Sequence, residues 1–368
     1  MKIANIDVYQ ATLPYSGGIY RLSGGREYPS FDATFVRIVT ECGIEGWGES
    51  TPFGSTYIAA HGAGARAGIA EIAPNLLGKD PRHCDRINGE MDGALVGHNH
   101  AKTPIDVACW DIFGKSVDMP VCDLLGGRTA QALPIISSIY TGDPEDMRAR
   151  VQAHREAGYR GHSIKVGAEP MLDAERVRAS LADRKLGEYF IVDANGGMSA
   201  ENALRLLNSL PSHLDYALEA PCATWRECLS LRRRTSVPII WDELAQTEED
   251  IVSLIAQDGA DGIGMKISKN GGLTRCRRQR DMCIAAGYTM SVQETTGSDI
   301  AFAAIVHLAQ TVPEKYLRCI LECRDMVTIK TADGDYGVEN GLIRAPRTPG
   351  LGITPRLSVF GEPVLSFN

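Results

Sequence analysis

Through the first fifty residues apolar and polar positions alternate with period two, in KIANIDVYQATL, then ATFVRIVTE, then GIEGWGES. That period belongs to strands buried on one face. The segment therefore predicts an antiparallel meander, with Gly43 and Gly46 marking turns. A loop rich in glycine and tyrosine, PYSGGIYRLSGGREYPSFD, separates the first two strands. Between 58 and 125 the spacing becomes helical, as in TPIDVACWDIFGKSV, and LLGG at 124–127 has the glycine expected where a helix stops.

From about residue 133 short apolar runs alternate with helical segments. The runs are PIISSIY (134–140), HSIKVG (162–167), YFIVDAN (189–195), DYALEAP (215–221), PIIWDE (238–243), DGIGMK (261–266), YTMSVQE (288–294) and LRCILEC (317–323). Seven helical segments separate these eight runs. Strand–helix repetition joins parallel strands by right-handed crossovers, and eight strands predict a closed barrel rather than an open sheet. No helical pattern follows the eighth run. The Gly- and Pro-rich tail YGVENGLIRAPRTPGLGITP is expected to pack back on the N-terminal segment.

Composition narrows the function classes. Hydrophobic residues make up 44% and charged residues 23%, ordinary for a soluble globular protein. A net charge of −8 without a basic run argues against nucleic acid or an anionic membrane as the main partner. No run of about 18 apolar residues exists to span a bilayer. The opening MKIANIDVYQATLP reads as a strand rather than a signal peptide, so a cytoplasmic protein is expected. Ten cysteines stand without CxxC spacing, several in apolar runs such as IDVACWDIF around Cys109, and read as buried reduced thiols. The histidines, His98 and His100 in GHNH among them, show no zinc spacing.

Barrels of this kind carry their chemistry at the C-terminal ends of the strands. The last polar residue of the second run is Lys165, with Ser163 two positions earlier and so on the same face. The next runs give Asp193, Glu219, Asp242, Lys266 and Glu294, and the eighth gives Glu322 with Asp325 just beyond. Three carboxylates converging on consecutive strands would repel and raise one another's pKa. A hard divalent cation relieves that repulsion, and Mg²⁺ keeps coordination positions for a ligand's oxygens. The competing reading is that these residues cap the following helices, a role Asn195 in DANGGMS fits. Lys165 and Lys266 flank the carboxylates. A lysine beside a metal and a second cation can lose its proton near neutral pH. Two such lysines facing each other across a carbon acid can take a proton from one side and deliver one to the other. The metal stabilises the enediolate formed when an α-proton leaves.

VDANGGMS, LEAP, WDE and MKISKNGGLT resemble the strand-end motifs of the enolase superfamily, in particular its muconate-lactonizing-enzyme-like branch, over essentially the whole chain. The resemblance implies an α/β architecture: a modified TIM barrel, (β/α)7β, over 128–328, and an α+β N-terminal capping domain over 1–127. A C-terminal segment, 329–368, returns to complete the cap. It implies one Mg²⁺ per subunit on Asp193, Glu219 and Asp242, with Lys165 and Lys266 as the catalytic pair. Branches that place a catalytic histidine on the seventh strand fit less well, because no histidine occurs between His213 and His307. The family's usual Lys-x-Lys on the second strand is Ser163-Ile164-Lys165 here, so the base is kept and a substrate-facing charge becomes a hydroxyl.

This SxK together with QETTG resembles a small group acting on proline derivatives, the cis-3-hydroxy-L-proline dehydratases, with hydroxyproline-betaine 2-epimerases as near neighbours. The implied reaction loses the α-hydrogen and the hydroxyl from opposite ring faces, giving Δ1-pyrroline-2-carboxylate. Epimerisation at C2 of proline betaine or hydroxyproline betaine is the alternative. A non-catalytic metal-binding barrel is the alternative of another class, and the two lysines speak against it. Glu294, Glu322 and Asp325 are candidates to pair with a cationic amine, Ser163 to meet the substrate, and Phe53 and Tyr57 to close over it. Tyr15, Tyr20 and Trp241 either stack on a substrate cation or pack the core. A small-molecule substrate and a homo-oligomeric assembly are expected.

Overall fold

The structure is a computed structural model that describes residues 1–22 and 25–368. β1 (Ile3–Pro14) and β2 (Ser30–Thr40) run antiparallel from Ile3↔Thr40 to Pro14↔Ser30, and β2 pairs in turn with β3 (Glu45–Ser50). α1 (Gly62–Ile72), α2 (Cys84–Ala94) and α3 (Asn99–Ser116) follow. α3 is buried on nearly all sides because the cap sheet covers one face and the barrel the other. Trp110 Nε1 donates to Thr274 Oγ1 at 2.9 Å across that second boundary.

Of the two expected turn glycines, Gly46 is not in a turn. Gly43 does turn, with φ of 82°. Gly46 lies inside β3, where it and Gly48 let α3 sit directly on the strand. A Cβ at either position would overlap a backbone carbonyl oxygen, of Ala108 or of Pro104. Glycine serves turns and close approaches alike, so its place in the sequence does not tell one from the other.

The eight barrel strands are β4 (Leu133–Ile139), β5 (Gly161–Lys165), β6 (Tyr189–Asp193), β7 (Ala217–Glu219), β8 (Ile239–Trp241), β9 (Gly262–Lys266), β10 (Thr289–Gln293) and β11 (Leu317–Leu321). All neighbours are parallel, and Ile320↔Ile135 and Leu321↔Ile136 close the ring. The tail has two attachments. Leu342–Ile343 pairs with the start of β4, and β12 (Leu365–Phe367) adds a fourth strand to the cap sheet beside Ile6–Val8. Nine of the cysteines are buried and unpaired; Cys42, in the β2–β3 turn, is exposed instead. No helix among the described residues is long and apolar enough to cross a membrane.

His307 ties these parts together. Its Nδ1 accepts from Cys122 N at 3.1 Å and its Nε2 donates to Leu351 O at 3.1 Å. A second ring proton would oppose the Cys122 N–H, and burial already pushes the imidazole down to about 4. Between pH 6.5 and 4 the unfolded chain therefore binds a proton at this site that the folded one refuses. The stability contributed is complete above pH 6.5 and is lost as pH falls toward 4. Urea unfolding of the wild type and His307→Gln should show a stability gap that shrinks by about 2–3 kcal/mol between pH 7 and pH 4.5. A gap independent of pH would contradict the assignment.

Candidate active site

Lys165, Asp193, Glu219 and Lys266 are the last residues of β5, β6, β7 and β9, and Asp242 directly follows β8. The register sets Lys165 beside Asp193, Asp193 beside Glu219, and Glu219 beside Ile240. All five are buried. None of the three carboxylates caps a helix. That work falls to Ser199, Thr224 and Thr247, whose side chains accept from Asn202 N, Glu227 N and Asp250 N. Asn195 is not a cap either. It sits at φ of 45°, donates from Nδ2 to Asp193 Oδ2 (3.1 Å) and Glu243 Oε1 (2.9 Å), and donates from its N–H to Asp193 Oδ1 (2.8 Å).

Electrostatics dominates this ring. Lys165 Nζ donates to Asp193, and Lys266 Nζ donates to Asp242 and to the Tyr57 hydroxyl. Burial alone would push both ammoniums toward neutrality, but Asp193 at the first and Asp242 at the second prevail, and both pKa values end above the usual lysine range. In this arrangement each carboxylate holds its ammonium charged; the expected loss of a lysine proton near neutral pH calls for a cation that takes up that carboxylate charge. Glu219 shows the opposite imbalance. Burial, then Asp193 and Asp242, hold its carboxyl well above the usual range.

Among the described residues no three His, Cys, Asp or Glu side chains stand gathered as a ready-made metal cage, since Asp193 and Asp242 turn to lysine. The donor set nevertheless fits a hard cation. Three carboxylates occupy adjacent strand ends, and Asp242 Oδ1 is buried without a hydrogen bond, 3.2 Å from Lys269 Nζ. Gly264 keeps the space between them open: a Cβ there would lie 2.7 Å from Glu219 Oε1 and 3.1 Å from Asp242 Cβ. Oxygen donors carrying surplus negative charge are what Mg²⁺ takes.

A cavity of about 30 Å³, room for about one water, is lined by Ser163, Lys165, Glu219, Lys266, Glu294 and, from the cap, Tyr57. Glu294 accepts from Ser268 N at 2.6 Å and Thr295 N at 2.8 Å, and burial raises it to about 7 despite those bonds. Glu322 and Asp325 do not line the cavity. Arg324 holds Glu322 through two bonds of 2.7 and 2.6 Å, and Asp325 accepts from Tyr159. A carboxylate two positions from an arginine in a tight turn takes the nearer cation. Trp241 packs against Trp225 with centroids 4.6 Å apart and gives its Nε1–H to Gly259 O, so it belongs to the core.

Several wall residues escaped the strand-end reading. Tyr20, whose hydroxyl meets Ser138 Oγ at 2.5 Å, sits on a two-residue strand, Tyr20–Arg21, inside the stretch without period that reads as a loop. Gln293 donates to Glu219 Oε1 at 3.2 Å, one position before the residue singled out. Lys269 was present in KISKNGG and unassigned. It donates to Asp242 O (2.6 Å), Ala245 O (2.8 Å) and Gly264 O (3.1 Å), bracing the turn beneath the site. A larger neighbouring cavity, about 410 Å³, shares Tyr57 and Asn195 but neither Lys165 nor Lys266.

Residues 30–126 match the mandelate racemase / muconate lactonizing enzyme N-terminal domain, and residues 146–359 match the enolase C-terminal domain-like family. The chain belongs to the enolase superfamily. Within this superfamily it is 39% identical, over the full length of both chains, to a cis-3-hydroxy-L-proline dehydratase of Roseibium aggregatum. A solved structure from Aspergillus oryzae is 67% identical, with a TM-score of 0.95 over 100% of this chain and 99% of that one. One from Roseovarius nubinhibens ISM, complexed with magnesium, is 52% identical with a TM-score of 0.99 over both full chains. Other members among its relatives are racemases and epimerases.

Gly264→Ala tests how tightly the carboxylates are packed. The added methyl should displace Glu219 and destabilise the fold by about 1–3 kcal/mol, read by urea unfolding. Unchanged stability would mean that the strand end has slack.

Proposed function

We propose that this enzyme dehydrates cis-3-hydroxy-L-proline to Δ1-pyrroline-2-carboxylate. The observation that carries the reading is that Lys165 and Lys266 line one cavity, each within electrostatic reach of Glu219 and of the other. The full-length similarity to a dehydratase of that substrate supports it. In the substrate the carboxylate and hydroxyl share a ring face, so the α-hydrogen lies opposite the hydroxyl. Lys165 Nζ takes the α-proton and Lys266 Nζ gives a proton to the departing hydroxyl. Water leaves, and the enamine tautomerises to the product. Mg²⁺ held by Asp193, Glu219 and Asp242 would take up the charge that keeps the lysines protonated and offer positive charge to the substrate carboxylate as the α-proton leaves.

Ser163, on the same face of β5 as Lys165, donates a hydrogen bond toward the substrate. Glu294 is the counter-charge for the amine. It uses its two oxygens on backbone N–H groups and retains acceptor capacity, and a neighbouring ammonium would lower its pKa and draw it into the ionised form. The cavity is too small for a pyrrolidine ring, so the cap segment carrying Phe53 and Tyr57 moves aside to admit one.

A second reading, C2 epimerisation of a proline betaine, has one observation in its favour. Tyr20, Phe53 and Tyr57 line the roof, with Phe53 centroids 5.1 Å from Tyr20 and 5.4 Å from Tyr57, and aromatic faces attract a quaternary ammonium.

Deuterium uptake at C2 separates the roles. Lys165→Ala should lose both dehydration and exchange by more than about a hundredfold, whereas Lys266→Ala should lose dehydration alone. Exchange surviving in Lys165→Ala but not in Lys266→Ala would reverse the two faces. Ser163→Ala should cost less than either. Inversion of proline betaine without turnover of cis-3-hydroxy-L-proline would favour the second reading. Treatment with EDTA should abolish activity and Mg²⁺ should restore it, while Asp242→Asn should raise the Mg²⁺ concentration needed; activity indifferent to EDTA would remove the metal from the scheme.

A further inference from the structure

The turn from β7 into the helix Trp225–Arg232 reads APCATWREC, and folding brings its two cysteines to one place. Cys228 Sγ donates to Cys222 O at 3.4 Å, and each thiol is the largest influence on the acidity of the other. Both border the cavity of about 410 Å³ beside the active site. Gly197 and Ala223 also border it and are exposed, so solvent reaches the cavity next to Cys222.

The pair is asymmetric. The Cys222 thiol draws Cys228 below the ordinary cysteine range, against the opposing effect of burial. Cys228, and then burial, push Cys222 well above that range. A sulfur favoured as thiolate beside one kept protonated matches an attacking and a resolving cysteine.

Cys222 is also joined to the ring of charges. It follows Glu219 by three residues, and Ala220 between them holds φ of 42°, a left-handed conformation that persists in a residue with a Cβ only where the surroundings enforce it. Gly196 N donates to Ala220 O at 2.8 Å, Met198 N donates to Pro221 O at 3.2 Å, and Cys222 forms β-bridges to Gly197 and Met198. The turn so held carries Asn195, which binds Asp193 through its N–H and its side chain.

We propose that Cys222 and Cys228 form a modification site, a dithiol that a small peroxide entering this cavity closes into a disulfide. The Cys228 sulfur attacks one peroxide oxygen and the O–O bond breaks. Cys228 is left as a sulfenic acid, and the departing oxygen leaves as water with the proton that Cys228 gave up. The Cys222 sulfur then attacks the sulfenic sulfur. The S–S bond forms, the S–O bond breaks, and the second oxygen leaves as water with the Cys222 proton. Two thiols lose two electrons and one peroxide gains them. The sulfurs end about 2 Å apart, and the Cys228 S–H that bonded Cys222 O is gone. Cys222 is drawn toward the helix, so its bridges to Gly197 and Met198 give and the turn that steadies Asp193 loosens. Neither the dithiol nor this effect depends on which substrate the barrel turns over.

The test is treatment of Cys42→Ser enzyme, which lacks the exposed thiol, with excess hydrogen peroxide, then alkylation under denaturing conditions and mass spectrometry of a non-reduced digest. The peptides bearing Cys222 and Cys228 should be joined and two hydrogens lighter than the free pair, with the remaining cysteines alkylated, and dithiothreitol should reverse the link. Amide hydrogen exchange over residues 195–198 should quicken at least about tenfold in the oxidised protein. Cys228→Ser should abolish the link and leave that exchange unmoved by peroxide. Cys222→Ala should stop at a sulfenic acid on Cys228 that dimedone traps. Alkylation of both cysteines after peroxide treatment, or a disulfide with exchange unchanged over 195–198, would overturn the proposal.

Discussion

Burying three carboxylates and three lysines at one end of a barrel is the constraint on which the rest of this molecule depends. Each charge taken singly would be costly to desolvate, and the arrangement is tolerable because the signs interleave. Asp193 answers Lys165, and Asp242 answers Lys266 with Lys269 beside it. Glu219, between them, is left with surplus negative charge around it. That residue is the electrostatic reason to expect a cation, and Gly264 is the steric allowance for one.

The scaffold serves this cluster by taking ordinary duties elsewhere. Serine and threonine cap the helices after β6, β7 and β8, so the strand-end carboxylates are not drawn into capping. Lys269 spends its charge on backbone carbonyls, which fixes the turn after β9 and with it the direction of Lys266. Glu294 does the same from the other side, through Ser268 N.

The cap is anchored by buried polar contacts rather than by apolar packing alone. Glu49 at the end of β3 accepts from Ser298 N at 2.9 Å and Ala301 N at 3.0 Å, where the last barrel helix begins. Thr295 Oγ1 donates to Thr51 O at 2.6 Å. These bonds fix the root of the segment bearing Phe53 and Tyr57. Tyr57 reaches Lys266 from that segment, so cap and barrel meet at the end of β9.

The periodicities of the chain determined the eight barrel strands and the cap meander, since both patterns report burial directly and locally. Strand ends named Lys165, Asp193, Glu219, Asp242 and Lys266 for the same reason: in a parallel barrel the last polar residue of each strand has a single mouth to face. What the sequence could not decide lies off the strands. Glu322 and Asp325 looked equivalent to Glu294, yet Arg324 and Tyr159 claim them, a choice made by turn geometry and a distant helix end. Tyr20 and Tyr57 were two tyrosines among several until the cap settled on the barrel and turned them inward. Gly46 read as a turn because nothing local reveals that a helix from sixty residues later lies on it. Spacing along one chain encodes which face of an element is buried; which side chain is nearest to which, across elements, exists only once they have packed.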